Sequence, residues 1–349
     1  MRDIIELHYS MSLKKGPNSG IEILKILLTF LILVYHCLHG KENIFENKLL
    51  KFLLKIVPLY FSTYFVIFFY FTYSTFTSKN ITNLKQRFQR ILVPYIVWPI
   101  IFAVLYIISS DKAISLSDII NDLFIQYLLG RRICFVFWFQ FNLLLISLIF
   151  IIILMCFKKS YILIFQLLFL IAYILEYFGF VEMFLESYNE DIKRSIGRTL
   201  KMMIFAITGF FLASIKLLNN LKYNKIRNIF LSTILFIVVI FLKIYFAKYY
   251  YLEGIFLILG STCLIISFSL LPLNNITNMT MIFLIKQSTS YTAGIYYIHM
   301  KVHTFLENRL NIFKEGSLRA CVLIYLFCYF ICFIGMKMVG KTKYKYLFI

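Results

Sequence analysis

The sequence predicts an all-α, polytopic membrane protein with about ten transmembrane helices and one short interfacial helix. Of its 349 residues, 61% are hydrophobic and the mean hydropathy is +0.83, whereas soluble domains are usually ~45–50% apolar. Apolar runs of about twenty residues, the length that crosses a bilayer as a helix, recur along the whole chain. The polar stretches between these runs are too short to form a separate folded domain, so we expect a single membrane domain.

The apolar runs define the spans in order. We expect residues 1–20 to form a cytoplasmic tail, residues 21–340 the transmembrane domain and residues 341–349 a second cytoplasmic tail. The ten predicted spans are residues 21–39, 53–76, 90–108, 133–157, 161–180, 198–218, 226–247, 252–271, 290–311 and 319–340. Residues 113–129 are shorter and amphipathic, which predicts a helix lying at the membrane interface.

Charge favours an orientation with both termini in the cytoplasm. With ten spans, 18 Lys and Arg residues fall on the N-terminal side of the membrane and 17 on the other, so the positive-inside rule alone does not decide. The acidic residues do separate, with two on the N-terminal side and 13 opposite. The chain's formal charge of +20 is therefore concentrated on one face. That face would attract anionic membrane lipids or an anionic cytosolic substrate, and we expect no nucleic-acid partner.

The first span carries ionisable residues inside a membrane-length helix. Glu22 and Lys25 lie near its start and His36 near its end, in IEILKILLTFLILVYHCLHG. Eleven residues separate Lys25 from His36, which is about 16 Å along the axis and close to three whole turns, so both lie on one face. Because ionisable groups are costly in a membrane, this face is a candidate site. A histidine there can gain or lose a proton near neutral pH. An ordinary surface ion pair remains an alternative for Glu22 and Lys25.

A pair of arginines precedes the third predicted span. Arg87 and Arg90 are three residues apart in KQRFQRILVPYIVWP and project from one side of a helix. Two guanidinium groups on one face can clamp a phosphate, and a helix N-terminus near them would add to the attraction. The alternative is a cationic cluster that only anchors the helix at the lipid headgroups.

Histidine and cysteine spacing does not predict a metal site. His299 and His303 are one helical turn apart, but no third ligand is evident, and the seven cysteines lie mostly within apolar runs without metal-ligand spacing. We therefore expect no metal, and we expect the cysteines to be packing residues.

Taken together and in order, the motifs resemble acyltransferase family 3, the integral membrane O-acyltransferases that modify bacterial surface glycans and related molecules. The matching positions are Glu22, Lys25 and His36 in the first span, Arg87, Arg90, Pro94, Tyr95 and Trp98 around the third, Trp138 and Phe139 in FVFWFQFNLL, and Ser290, Gly294, Ile295, Tyr296 and His299 in SYTAGIYYIHMKV. Two departures accompany the match. Lys25 stands where the family usually has arginine, and Phe68 and Phe69 stand where a Ser-Gly pair is usual.

The resemblance implies a donor, an acceptor and residue roles. The donor would be cytosolic acyl-CoA, most often acetyl-CoA, with no permanently bound cofactor. The acceptor would be a hydroxyl of a cell-surface polysaccharide or of its lipid-linked precursor, reached across the cell inner membrane. His36 would be catalytic, as general base or as nucleophile. The donor would be bound by Lys25, Arg87 and Arg90, and the supporting residues would be Glu22, Tyr95, Trp138 and His299. A carrier or flippase for lipid-linked sugars and a catalytically inactive relative remain alternatives.

Overall fold

The computed structural model describes residues 18–38, 55–78, 81–109, 137–157, 160–184, 190–271, 279–309 and 318–339, together with the single residues 52 and 117. Ten long helices account for most of these residues. They are α1 (Ser19–Leu38), α2 (Val57–Thr77), α3 (Ile81–Ser109), α4 (Trp138–Cys156), α5 (Tyr161–Tyr177), α6 (Glu190–Ser214), α7 (Lys225–Tyr245), α8 (Tyr250–Leu270), α9 (Met279–Arg309) and α10 (Leu318–Val339). Short helical turns cover Phe180–Phe184, Leu217–Asn220 and Leu221–Asn224.

The predicted all-α, polytopic class is confirmed, and the ten long helices correspond one for one to the ten predicted spans. Seven candidate spans in the described residues are long and apolar enough to cross a membrane by length and composition. Helices α2, α5 and α9 fall outside that set. Helix α5 is apolar but has only 17 residues, whereas α2 is rich in tyrosine, serine and threonine and α9 contains several charged residues.

Three helices begin well before the predicted spans. Helix α3 begins at Ile81 rather than at residue 90, α6 at Glu190 rather than at residue 198, and α9 at Met279 rather than at residue 290. In all three, the polar residues before the apolar run are acceptable in a helix, so the helix continues through them. At 29 residues α3 is about 44 Å long, which exceeds the ~30 Å hydrocarbon core. The predicted interfacial helix at 113–129 and both predicted tails lie largely outside the described residues.

Helices α1 and α2 lie against each other in the interior of the bundle. Helix α1 packs against α8, α9 and α10, and α2 packs against α4, α6 and α8. Leu24, Leu28 and Ile32 of α1, spaced four residues apart, are each at most 2% exposed. This spacing puts one apolar stripe of α1 against its neighbours, and it fixes the rotation of the helix that carries Lys25 and His36.

Small and hydroxyl-bearing residues let neighbouring helices approach α2 closely. A Cβ atom built on Gly209 of α6 would clash with the carbonyl oxygen of Val66 of α2. On another face of α2, Ser62 and Thr63 hydrogen-bond to Ser261 of α8 at 2.9 and 3.1 Å. Packing of small residues and hydrogen bonds between helices are the interactions that hold membrane bundles together, so α2 is held firmly on two sides.

Candidate functional site

A basic cavity of about 360 Å³ lies between α1, α2, α3, α4 and α9. Lys25 of α1 and Arg87 and Arg90 of α3 all line it. The rest of its wall is largely aromatic and aliphatic. Residues more than sixty positions apart in the chain therefore place three cations around one space, which we call the basic cavity.

Arg87 is fixed by two hydrogen bonds to the C-terminal part of α2. Its Nη1 donates to the hydroxyl of Thr72 at 2.8 Å, and its Nη2 donates to the carbonyl oxygen of Phe71 at 3.1 Å. A guanidinium has five N–H donors, so these two bonds orient the group and leave further donors for a ligand. Arg90 is exposed, whereas Arg87 is half-buried. Arg87 is the seventh residue of α3, so it lies more than one turn after the helix begins. The unpaired backbone N–H groups of the helix N-terminus are therefore not at Arg87.

Lys25 is positioned through its own backbone. Its carbonyl oxygen accepts hydrogen bonds from the hydroxyls of Tyr64, at 2.7 Å, and Thr29, at 2.9 Å. The ammonium group lies 6.0 Å from the ring centroid of Phe71, at the outer limit for a cation–π contact. The Lys25 charge therefore faces the side chain of Phe71, the residue of α2 whose carbonyl oxygen accepts a hydrogen bond from Arg87.

Electrostatic repulsion opposes this arrangement. Lys25 lies in the electrostatic field of Arg87, Arg90 and Glu22. Glu22 is only 8% exposed, its Oε2 has no hydrogen-bond partner among the described residues, and no ion pair within 4.0 Å joins its carboxylate to Lys25. Cations that line one cavity repel one another, which is costly within a membrane bundle. A polyanionic ligand would remove that cost.

His36 lies beyond the wall of the basic cavity, against α9. Its ring centroid is 5.2 Å from that of His299, and the His299 centroid is 5.8 Å from that of Tyr296. Tyr296 in turn lines the basic cavity, whereas His36 is not among the described residues that line it. A row of three rings thus connects the cavity to His36, with His299 in the middle.

The tautomer of His299 follows from its surroundings. Its Nδ1 lies 2.7 Å from the carbonyl oxygen of Tyr296, and because a carbonyl can only accept, Nδ1 carries the proton. The Nε2 atom is then an acceptor. It is buried, has no hydrogen-bond partner among the described residues, and belongs to a side chain that is 1% exposed. A buried acceptor without a partner is costly. The ring that carries this unpaired lone pair is the one that contacts His36.

One residue of the cavity wall was missed by the sequence reasoning. Gln140 of α4 lines the basic cavity, is 3% exposed, and has an Oε1 atom without a hydrogen-bond partner among the described residues. The signal was a polar amide within the apolar stretch FVFWFQFNLL. Its unpaired oxygen can accept a hydrogen bond from a ligand, for instance from an amide N–H.

Phe68 and Phe69 stand where the family that the sequence resembles usually has a Ser-Gly pair. The two side chains have different surroundings. Phe68 lines the basic cavity. Phe69 is completely buried and packs on Phe150 of α4, with ring centroids 4.9 Å apart. Adjacent residues on a helix point about 100° apart, so only the first phenylalanine narrows the cavity.

The remaining candidates lie away from the cavity wall. Trp138 packs on Phe61, near the start of α2, with ring centroids 5.3 Å apart. Tyr95 is half-buried on α3. His303 is 8% exposed, and its Nε2 lies 3.8 Å from a carboxylate oxygen of Glu307. Among the described residues, no group of three or more His, Cys, Asp or Glu side chains could hold a metal ion.

Comparison with family models matches residues 18–338 to the acyltransferase domain of acyltransferase family 3. This match covers nearly the whole chain. No curated protein and no solved structure matches the chain.

Proposed function

Since the chain belongs to acyltransferase family 3, we propose that this membrane protein is an O-acyltransferase that transfers an acyl group, most simply acetyl, from cytosolic acyl-CoA to a hydroxyl of a cell-surface polysaccharide or its lipid-linked precursor. One observation supports this most strongly. Lys25, Arg87 and Arg90 line one cavity, and a wall residue of that cavity leads through His299 to His36.

The basic cavity suits the chemistry of an acyl-CoA donor. Coenzyme A carries phosphates at one end, and Arg87 and Arg90 present the planar forks that bind phosphate in a bidentate manner. Lys25 adds a point charge. It lacks the planar fork of the arginine that is usual in the family, so it cannot bind phosphate in a bidentate manner. The amide groups along the arm of coenzyme A would match the unpaired Oε1 of Gln140. The acyl end would then extend past Tyr296 toward His36.

His36 supplies the chemistry in either of two ways. As a general base, its imidazole accepts the proton of the acceptor hydroxyl while the oxygen attacks the thioester carbon, and the C–S bond breaks to release the CoA thiolate. The imidazolium then returns the proton to the thiolate. As a nucleophile, the imidazole attacks the thioester carbon, the C–S bond breaks to release the CoA thiolate, and the hydroxyl oxygen then displaces the imidazole from the acyl carbon while its proton goes to the thiolate. In both routes the buried lone pair of His299 Nε2 can orient the His36 ring or stabilise its charged form.

We propose that the N-terminus and the C-terminus both face the cytosol in a bacterial inner membrane. The start of α1 and the first turns of α3 would then lie at the cytosolic side, where acyl-CoA is available. His36, about 16 Å further along α1 than Lys25, would lie closer to the opposite face, where the acceptor would arrive.

The experiment that tests the proposed function compares surface glycans from cells with and without the chain by mass spectrometry. We expect one acyl mass increment per modified sugar only when the chain is present. Purified chain in nanodiscs should also release free CoA from acetyl-CoA in the presence of that glycan. Unchanged glycan masses together with no release of CoA would contradict an acyltransferase and leave an inactive relative.

The two neighbouring phenylalanines should separate donor binding from stability. We expect Phe68→Ala to weaken acyl-CoA binding by roughly tenfold, since it removes apolar contact from the cavity wall, and to alter stability little. The matched variant Phe69→Ala should instead lower the free energy of unfolding by at least about 2 kcal/mol, because it leaves a void between α2 and α4. Calorimetric titration and denaturation in detergent measure the two quantities. If both variants change only the acyl-CoA affinity, or both change only the free energy of unfolding, then the assignment of Phe68 to the cavity wall and Phe69 to the core is wrong.

A further inference from the structure

The connection between α6 and α7 is strongly basic. It covers residues 215–227, and we call it the basic connector. Its four cations are all exposed, and they are Lys216, Lys222, Lys225 and Arg227. The chain has no aspartate or glutamate between Asp191 and Glu253. Neither the connector nor α7 therefore contains a carboxylate that could offset these charges.

Contacts within the structure do not neutralise the connector. Lys222 Nζ donates to the side-chain oxygen of Asn219 at 3.0 Å. Nη2 of Arg227 lies 3.2 Å from the side-chain amide of Asn224. Both partners are uncharged. Among the residues that the structure describes, the ion pairs join other side chains, so the connector keeps its positive charge.

The basic connector is attached to the bundle at defined points. Leu218 is buried in the hydrophobic core, and its backbone hydrogen-bonds to the side chain of Tyr70 of α2. At the start of α7, the side-chain amide of Asn228 donates to the carbonyl oxygen of Leu221 at 2.7 Å. These bonds satisfy backbone groups that the helix ends leave open. The cations are therefore held at one level of the bundle.

The exposed side of α7 indicates where that level lies in the membrane. Exposed apolar side chains follow one face of this helix at intervals of three or four residues, and they are Ile226, Phe230, Ile234, Ile237, Phe241 and Tyr245. The first and the last are nineteen residues apart, which is about 28 Å of helix and close to the ~30 Å hydrocarbon core. Ile226 therefore lies at one border of the hydrocarbon. Its chain neighbours Lys225 and Arg227 lie at the adjoining headgroups.

The connector also exposes two side chains that suit this border. Tyr223 is 93% exposed and Ile226 is 85% exposed. A tyrosine is favourable where its ring meets lipid and its hydroxyl meets water. A water-soluble acidic protein would match the cations but not an isoleucine at the edge of the hydrocarbon. Anionic lipid offers both the negative charge and the apolar surroundings.

We propose that the basic connector binds anionic phospholipid headgroups in preference to neutral ones, with headgroup oxygens held by Lys222, Lys225 and Arg227. A basic segment next to a membrane helix attracts anionic lipid, and ammonium and guanidinium groups donate charge-assisted hydrogen bonds to phosphate. None of these three cations lines the basic cavity. The binding therefore depends neither on acyl transfer nor on which side of the membrane the connector faces.

The test measures which lipid surrounds the connector in full-length chain reconstituted into phosphatidylcholine vesicles. The variant Tyr223→Trp places a fluorescent reporter on the connector, and its signal is the difference from the parent, whose two tryptophans are Trp98 and Trp138. The quencher is brominated phosphatidylglycerol or, in a parallel sample at the same small fraction, brominated phosphatidylcholine. We expect phosphatidylglycerol to quench as though it were enriched about fivefold or more, the effect of roughly one cation near an anionic membrane. High salt should reduce this preference.

Variants in the tryptophan background show whether these cations cause the preference. Lys222→Gln/Lys225→Gln/Arg227→Gln should make the two lipids quench equally. The charge-keeping variant Lys222→Arg/Lys225→Arg/Arg227→Lys should retain the preference, which controls for the effect of three substitutions on folding. Lys248→Gln removes an exposed cation just beyond the opposite end of α7, and it should also leave the preference unchanged.

Enrichment that needs the three cations and falls with salt supports the inference. Equal quenching by the two lipids in the tryptophan background overturns it, because the connector would then lie in the membrane without a preference for charge. Absence of quenching by either lipid also overturns it and indicates that the connector faces water, where a soluble acidic partner could reach it. Enrichment that survives removal of the three charges overturns the assignment to these side chains.

Discussion

Replacing His36 with alanine should reduce acyl transfer by about 10²–10⁴-fold, the range for loss of a general base, while acyl-CoA binding is retained. The reason is geometric. His36 lies beyond the described wall of the basic cavity, with His299 between it and Tyr296, so its removal leaves the three cations and the cavity wall intact. Release of CoA by purified chain and calorimetric titration with acetyl-CoA measure the two effects separately.

The control for this variant is His303→Asn. His303 is also a histidine of the bundle interior, on the same helix as His299 but one turn further along, where it lies beside Glu307. We expect its substitution to leave acyl transfer within a small factor of the parent. Transfer that survives His36→Ala at the parental rate, or that is lost equally in both variants, would remove His36 as the catalytic residue.

Replacing Arg87 with alanine should raise the dissociation constant for acyl-CoA by roughly 10- to 100-fold, since a hydrogen bond to a charged group contributes about 1.5–3 kcal/mol. The expected loss is largest at low salt, because screening weakens attraction between charges. Arg87→Lys should fall between the parent and Arg87→Ala. It keeps the charge but loses the fork that donates to Thr72 and to the carbonyl of Phe71.

Lys85→Ala provides the matched control for Arg87. Lys85 is an exposed cation of the same helix, two residues earlier, and is not among the described residues that line the basic cavity. Its substitution should change acyl-CoA affinity little. Equal weakening in Lys85→Ala and Arg87→Ala would indicate general attraction by a cationic face rather than a phosphate clamp. Unchanged affinity in both would favour the alternative that the arginines only anchor the helix at the lipid headgroups.

The sequence determined the membrane class, the ten helices and the family. Apolar runs of membrane length can satisfy their backbone hydrogen bonds only as helices, so α1 and α10 are found within two residues of their predicted bounds. Spacing also placed Lys25 and His36 on one helix, three turns apart. The starts of α3, α6 and α9 were predicted too late, since a polarity change marks the edge of the bilayer but not the end of a helix. The roles of His36, Lys25, Arg87 and Arg90 remain predictions.

The tertiary structure decided which residues meet. The rotation of each helix is set by packing against its neighbours, and no local pattern encodes it. That rotation aims Phe68 into the basic cavity and Phe69 into the core, brings Arg87 to the C-terminal part of α2, and places His299 between His36 and Tyr296. It also turns four cations of α6 toward one space between α5, α6 and α8, and sets one of them, Arg198, 5.5 Å from the ring of Trp138. In the sequence these are charges along one helix, and only the approach of α5 and α8 gathers them around one space.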